Sequence, residues 1–130
     1  MPILSSKDDE QPVVEQAPGV RFRLRAGAST GADVLTVGDR WFDPGAGMPM
    51  HVHPEGVEEI VWVQAGQAEF EVDGETAVVG EEHTVIIPAG ASHRYTASGD
   101  AVLHVLVRWS STRPTMSGEG IEPGTLEIEG

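Results

Sequence analysis

Short segments in which apolar and polar residues alternate recur between about Val20 and Trp109, and glycine, proline or aspartate residues separate them. No stretch in this window keeps an apolar period of about 3.6 residues, which argues against amphipathic helices. Asp73-Gly74 lies between two alternating segments, 68–72 and 76–79, and is the strongest hairpin signal of the chain. The pattern therefore predicts an all-β fold of about eight strands, either a sandwich or a closed jelly roll.

The chain of 130 residues is long enough for one domain with its own core, so it needs no metal or disulfide merely to fold. Prolines and glycines interrupt both ends of the sequence. We therefore expect an N-terminal arm of residues 1–19, a β-strand domain of residues 20–109 and a C-terminal tail of residues 110–130. Both end segments are predicted to be irregular.

The charge and cysteine counts limit what the chain can bind. It has 21 acidic residues against 8 lysines and arginines, and its formal net charge of −13 repels phosphate backbones and anionic lipid surfaces. We therefore expect no nucleic-acid or membrane partner. The sequence has no cysteine, which excludes disulfides and thiolate metal ligands. Because the first 20 residues lack the apolar stretch of a signal peptide, a soluble cytoplasmic protein is expected.

Three of the five histidines lie in an arrangement that could bind a metal ion. One residue separates His51 from His53, and on a strand this spacing puts both imidazoles on one face. Glu58 and Glu59 follow at the start of an apolar segment, and His93 follows a turn. Imidazole and carboxylate donors bind Mn, Fe, Co, Ni, Cu or Zn. Taken alone, however, the histidine pair is more simply interpreted as polar surface.

The complete spacing resembles the two motifs of the cupin superfamily. A glycine, two histidines, an acid and a second glycine match the first motif, and a proline, a glycine and a histidine match the second. In this sequence those residues are Gly45, His51, His53, the acid at Glu58 or Glu59, Gly66, Pro88, Gly90 and His93. The resemblance implies a double-stranded β-helix over residues 20–109, which is a jelly-roll barrel with a metal ion inside one end. It also implies that the three histidines and the acid are the metal ligands.

Two neighbouring acids compete for the place of the carboxylate ligand. The usual distance from His53 fits Glu58, whereas the distance back from Gly66 selects Glu59. Strand alternation agrees with Glu59, because it then shares the inward face with apolar residues of the same strand. We predict Glu59 as the ligand and keep Glu58 as the alternative.

The sequence departs from the family motifs at two further places. Glu82 and His83 replace the glycine and aspartate that usually open the second motif, and Ala97 replaces an asparagine. His83 could lie near the barrel, although a loop histidine in solvent is the simpler interpretation. Neither change removes a metal donor.

The predicted donor set is suited to a catalytic ion. Three nitrogens and one oxygen leave one or two positions for water or substrate on a five- or six-coordinate ion. We expect Fe or Mn first, and Zn, Ni, Cu or Co also suit these donors. Each imidazole must be neutral to bind, so metal affinity should fall below about pH 6.

Other side chains are candidates for the lining of the pocket. If His93 points into the barrel, Tyr95 points the same way and either transfers a proton or is a core tyrosine. His104 and Arg108 share one face of the last strand, and their apolar neighbours favour the outside for both. If they face inward instead, Arg108 would bind a carboxylate and His104 would be a candidate base. The candidate catalytic residues are therefore Tyr95 and, on that condition, His104.

The resemblance implies several kinds of activity, because cupins include dioxygenases, decarboxylases, isomerases, lyases and cyclases. We expect a metalloenzyme that acts on a small oxygen-rich organic substrate. The alternatives are a module that binds or senses a small molecule without turnover, and a structural cupin with adventitious metal. The family also implies a homodimer formed by sheet packing, for which an outward Trp62 next to Ile60 would supply apolar surface.

Overall fold

The computed structural model describes residues 1–5, 11–54 and 56–128, and these contain eleven strands. The strands are β1 (Val14–Ala17), β2 (Val20–Ala26), β3 (Thr36–Phe42), β4 (Glu59–Ala65), β5 (Gln67–Val72), β6 (Glu75–Val79), β7 (Thr84–Ile87), β8 (His93–Ser98), β9 (Leu103–Trp109), β10 (Thr115–Gly118) and β11 (Ile121–Leu126). One turn of 3-10 helix, Ala28–Thr30, follows β2. In the part of the chain that is described, no helix is long and apolar enough to cross a bilayer.

Two antiparallel sheets enclose the core. The larger sheet has six strands in the order β1-β2-β3-β9-β4-β7, and the smaller has three in the order β6-β5-β8. β10 and β11 form a separate two-stranded hairpin. Strands that are distant in sequence lie side by side, as in a jelly roll. The prediction of an all-β jelly-roll fold is confirmed.

The predicted hairpin at Asp73-Gly74 joins β5 to β6. Both turn residues have left-handed backbone angles, with φ values of 49° and 82°. This is the geometry of a type I′ turn, whose twist matches that of the two strands it connects.

Strand alternation decides which side chains reach the interior. On β9 every second residue is buried, namely Leu103, Val105, Val107 and Trp109. On the neighbouring β4 the buried positions are Glu59, Val61 and Val63. Glu59 therefore puts a carboxylate on an otherwise apolar inward face, which is costly unless that carboxylate is paired.

The two end segments differ from the irregular arms that were expected. β1 lies within residues 1–19 and pairs with β2 across a tight turn, in which Gly19 has a φ of +74°. The C-terminal tail forms the β10–β11 hairpin. Pro123, which favoured an irregular tail, lies in β11, and within the described residues this strand pairs on one side only, with β10. Proline is tolerated in such an edge strand because not every N–H needs a partner there.

Candidate metal centre

His51, His53, Glu59 and His93 lie together at one end of the barrel. All four side chains are buried, and their candidate ligand atoms lie within 4.8 Å of one another. Glu59 Oε1 is 2.7 Å from His53 Nε2 and 3.4 Å from His93 Nε2. The structure thus brings together all four of the residues that were predicted as ligands.

The fold places these residues through backbone pairing. His51 and His93 pair with each other, with N–H to carbonyl distances of 3.0 and 2.8 Å in the two directions. His53 follows two residues later, and Glu59 begins β4 on its inward face. The pairing therefore holds two segments that are far apart in sequence next to each other. It fixes the backbone positions from which the imidazole side chains extend.

Backbone carbonyls orient the three imidazole rings. The Nδ1 atom of each ring lies 2.7 to 3.0 Å from a carbonyl oxygen: that of Pro49 for His51, Thr115 for His53 and Ala91 for His93. Nδ1–H donates in these contacts, so the Nε2 atoms point toward one another. Hydrogen bonds of this kind fix the tautomer that binds a metal.

Several polar atoms of the cluster have no hydrogen-bond partner among the described residues. They are Nε2 of His51, Nε2 of His93 and Oε2 of Glu59. Buried polar atoms are almost always satisfied, so a set of unpaired lone pairs that converge calls for an explanation. A divalent cation would satisfy all of them, and the nitrogen and oxygen donors fit a transition metal.

The electrostatics of the cluster also favour a cation. Burial alone would raise the pKa of Glu59, but the hydrogen bond with His53 and the nearby His93 ring outweigh it and hold the pKa below its usual range. Burial lowers the pKa of His53, but the Glu59 carboxylate outweighs this and raises it. Both ring nitrogens of His53 lie close to an oxygen, Nδ1 to the Thr115 carbonyl and Nε2 to Glu59 Oε1. A metal ion would bind at Nε2, between the ring and the carboxylate. Trp109 Nε1–H also donates to Glu59 Oε1 at 2.9 Å and holds the carboxylate in place.

Glu58, the alternative ligand, lies outside the cluster. Its side chain is exposed, and its backbone N–H donates to Ser110 Oγ at 2.9 Å. Among the two adjacent acids only Glu59 reaches the imidazoles.

Arg40 and Glu127 lie beside the cluster, and sequence reasoning missed both. Both side chains are fully buried and form an ion pair. Arg40 also donates to Tyr95 Oη at 2.9 Å and to Gln16 Oε1 at 2.8 Å. Glu127 Oε2 lies 3.2 Å from His51 Nε2. Tyr95 thus points inward, as the alternation of β8 predicted.

Sequence signals for the two missed residues exist but are weak. Arg40 lies two residues from Gly38 and two from Phe42 on β3, so the three residues share one face of the strand. Once the register of β3 is known, this alternation predicts that Arg40 points inward. Glu127 lies between Leu126 and Ile128, in a tail that was expected to be irregular.

The structure does not place His104 with the cluster. It lies on the outward face of β9, where Nε2 contacts Asp39 Oδ1 at 2.8 Å and the ring stacks on Trp41 at 4.8 Å. Arg108 shares that face and is exposed. The role of His104 as a base required an inward orientation, so this assignment is wrong. The reason is the alternation of β9, whose inward positions are all taken by apolar side chains.

The model of the cupin domain family matches residues 40–109, and the chain therefore belongs to the cupin family. This confirms the resemblance drawn from the motifs. Polyketide synthase CurC of Streptomyces cyaneus is 32% identical over 74 residues, which cover 57% of this chain and 47% of that protein. Adenylosuccinate synthetase of Trichlorobacter lovleyi is 41% identical over 64 residues, which cover 48% of this chain and 14% of that protein. The chain thus spans less than half the length of either relative.

Among solved structures, the polyketide cyclase RemF from Streptomyces resistomycificus aligns with a TM-score of 0.75 and 20% identity, over 94% of this chain and 89% of that one. Oxalate oxidase in complex with glycolate aligns with a TM-score of 0.69 and 23% identity, over 78% of this chain and 56% of that one. At these identities the similarity shows the shared cupin fold.

Proposed function

We propose that this protein is a metal-dependent enzyme that acts on a small oxygen-rich organic substrate at the cluster of His51, His53, Glu59 and His93. The observation that carries the proposal is that unpaired nitrogen and oxygen atoms converge in a buried cluster. These atoms can serve as the protein ligands of an ion that keeps further coordination positions open. We expect Fe or Mn first, with Zn, Ni, Cu or Co also suited to these donors.

Within this class we favour cyclase-type chemistry on a polycarbonyl substrate over dioxygenase chemistry. Support comes from two separate comparisons, since one sequence relative and one solved structure, which aligns over 94% of the chain, both carry names from polyketide chemistry. A 1,3-dicarbonyl group chelates a metal as its enolate. The bound ion would act as a Lewis acid that stabilises this enolate.

The residues of the chain have separable roles in this proposal. The carbonyls behind the imidazoles and the Trp109 indole orient the ligands. Burial raises the pKa of Tyr95, and this effect outweighs the nearby Arg40 guanidinium, so the phenol is protonated at neutral pH. Because Arg40 donates to Tyr95 Oη, the phenol O–H is free to donate to a substrate oxygen. Tyr95 is therefore proposed as a proton donor and not as a base.

The test begins with metal analysis of protein purified without an affinity tag. One ion per chain in the wild type, and none in Glu59→Ala, is the expected result. The metal-loaded protein is then incubated with a series of linear poly-β-ketones, and products are followed by mass spectrometry with Glu59→Ala as the control. If no metal binds stoichiometrically under any loading condition, the proposal is wrong.

The alternative is a cupin that binds or senses a small molecule without turnover. The position of Glu127 beside His51 favours it, because the protein's own carboxylate partly fills the site. Recovery of every poly-β-ketone unchanged, together with stoichiometric binding, would select this alternative.

A further inference from the structure

Arg40 is a buried cation whose hydrogen-bond partners come from three other parts of the chain. Its guanidinium donates to Gln16 on β1, to Tyr95 on β8 and to the carboxylate of Glu127 in the C-terminal segment. A guanidinium in such a place needs an anion, since an unpaired buried charge is strongly unfavourable. In this structure the chain supplies that anion itself.

Glu127 adopts the arrangement expected of a bound carboxylate ligand. One of its oxygens pairs with Arg40, whereas Oε2 has no hydrogen-bond partner among the described residues and points to His51 Nε2 at 3.2 Å. The carboxylate thus bridges the buried cation and the metal cluster. A carboxylate or enolate of a small molecule would need the same two contacts.

The segment that carries Glu127 joins the exposed part of β11 to two buried residues, Glu127 and Ile128. Residues 122–125 of β11 are exposed. The backbone of Glu127 is held by one N–H to the carbonyl of Pro114 at 2.7 Å, and its own carbonyl accepts from Gln16 Nε2 at 2.7 Å. An open groove of about 390 Å³, lined by residues that include Gln16, Met48, Met116 and Glu127 itself, reaches this point from the surface. Outward movement of Glu127 would connect the groove to the cluster.

We propose that Arg40, Tyr95 and the metal cluster form an anion-binding pocket for the carboxylate or enolate of a small organic ligand, and that Glu127 occupies this pocket until such a ligand displaces it. The contact with the metal rests on the proposed function, whereas the contact with Arg40 does not. The C-terminal segment is then a displaceable part of the site, and the groove beside it is the entrance.

Malonate is a suitable probe, because one of its carboxylates can make the two contacts that the Glu127 carboxylate makes. Its affinity is measured by calorimetry for the wild type, Glu127→Ala and Glu122→Ala, each with and without zinc. Glu122 is exposed on the same hairpin, so Glu122→Ala controls for the loss of one negative charge. We expect malonate to bind Glu127→Ala at least about tenfold more tightly than the wild type, because the internal competitor is gone. Glu122→Ala should match the wild type, and addition of Arg40→Met to Glu127→Ala should abolish the gain.

An unchanged or weaker affinity for malonate in folded Glu127→Ala would overturn the proposal. Loss of zinc from Glu127→Ala would overturn it too, because Glu127 would then be a ligand. If the wild type binds neither zinc nor any other metal, the proposed function fails, whereas the gain in malonate affinity without metal still tests the pocket. If Glu127→Ala does not fold, hydrogen exchange in the wild type tests the proposal instead. Malonate should accelerate amide exchange in residues 121–128, and protection there would contradict displacement.

Discussion

Two histidine–carboxylate pairs lie on opposite faces of the six-stranded sheet. They have nearly the same nitrogen-to-oxygen distance and the same burial of the carboxylate. On the inner side, His53 Nε2 is 2.7 Å from Glu59 Oε1. On the outer side, His104 Nε2 is 2.8 Å from Asp39 Oδ1. Both carboxylates are buried, with 1% of each residue exposed. Distance and burial alone would not tell a metal site from a structural ion pair.

The difference lies in what surrounds each pair. Asp39 also accepts two hydrogen bonds from the Arg25 guanidinium, at 2.6 and 3.3 Å, so both of its oxygens are satisfied by the protein. Glu59 instead faces two further imidazoles and keeps one oxygen unpaired. Unpaired donors that converge, and not the histidine–acid pair itself, distinguish the candidate metal site.

The largest effect is expected from removal of the inner carboxylate. Glu59→Ala or His51→Ala should lower metal affinity by more than about 100-fold, since changes that only misorient ligands already cost about 10- to 100-fold. Asp39→Asn and Glu58→Ala should bind metal like the wild type. Elemental analysis and competition with a chromophoric chelator provide the measurement. Metal loss in Glu58→Ala would show that the other acid is the ligand.

A smaller loss of metal affinity is expected when Glu59 remains but the hydrogen bond that orients its carboxylate is removed. Trp109→Phe keeps an aromatic ring in the core but deletes the indole N–H that donates to Glu59 Oε1. We expect metal affinity to fall by about 10-fold, the lower end of such effects. Trp41→Phe, on the outer face, is the matched control and should leave the affinity unchanged. Equal affinities in the two variants would mean that the indole does not orient the carboxylate.

The oligomeric state of the protein tests the outer face of the six-stranded sheet alone. The homodimer stays a prediction, and Trp62 does lie on the outer face, beside Ile60, Leu106 and Arg108 around a shallow depression. Trp62→Glu should weaken the dimer by about 2 kcal/mol, the loss typical of a central aromatic residue. Light scattering across a dilution series measures this, and metal content should not change. A monomeric wild type at all concentrations would refute the predicted dimer.

The sequence specified the inner site better than its surroundings, for physical reasons that particular residues illustrate. His51, His53 and Glu59 are close in sequence, so alternation along a strand decides which way they point, and the motif spacing adds His93. Arg40 and Glu127 meet only because β1, β3 and the tail come together in the folded chain. No local pattern carries that information. His104 was uncertain because alternation gives two faces without saying which face is inside.

The smallest effect concerns the stability that the outer pair contributes. Burial raises the pKa of Asp39, but hydrogen bonds from His104 and Arg25 outweigh it and lower the pKa below its usual value of 3.8. A lowered pKa in the folded state stabilises the protein above the unfolded value, and this contribution disappears as the pH falls through the folded value. Asp39→Asn should therefore cost about 1 kcal/mol at pH 7, a modest amount because Arg25 is half-exposed and solvent screens the pair. The cost should shrink below about pH 4. Urea unfolding of both proteins at pH 7 and near pH 3 measures the difference, and a cost that is the same at both values would exclude ionisation of Asp39 as its cause.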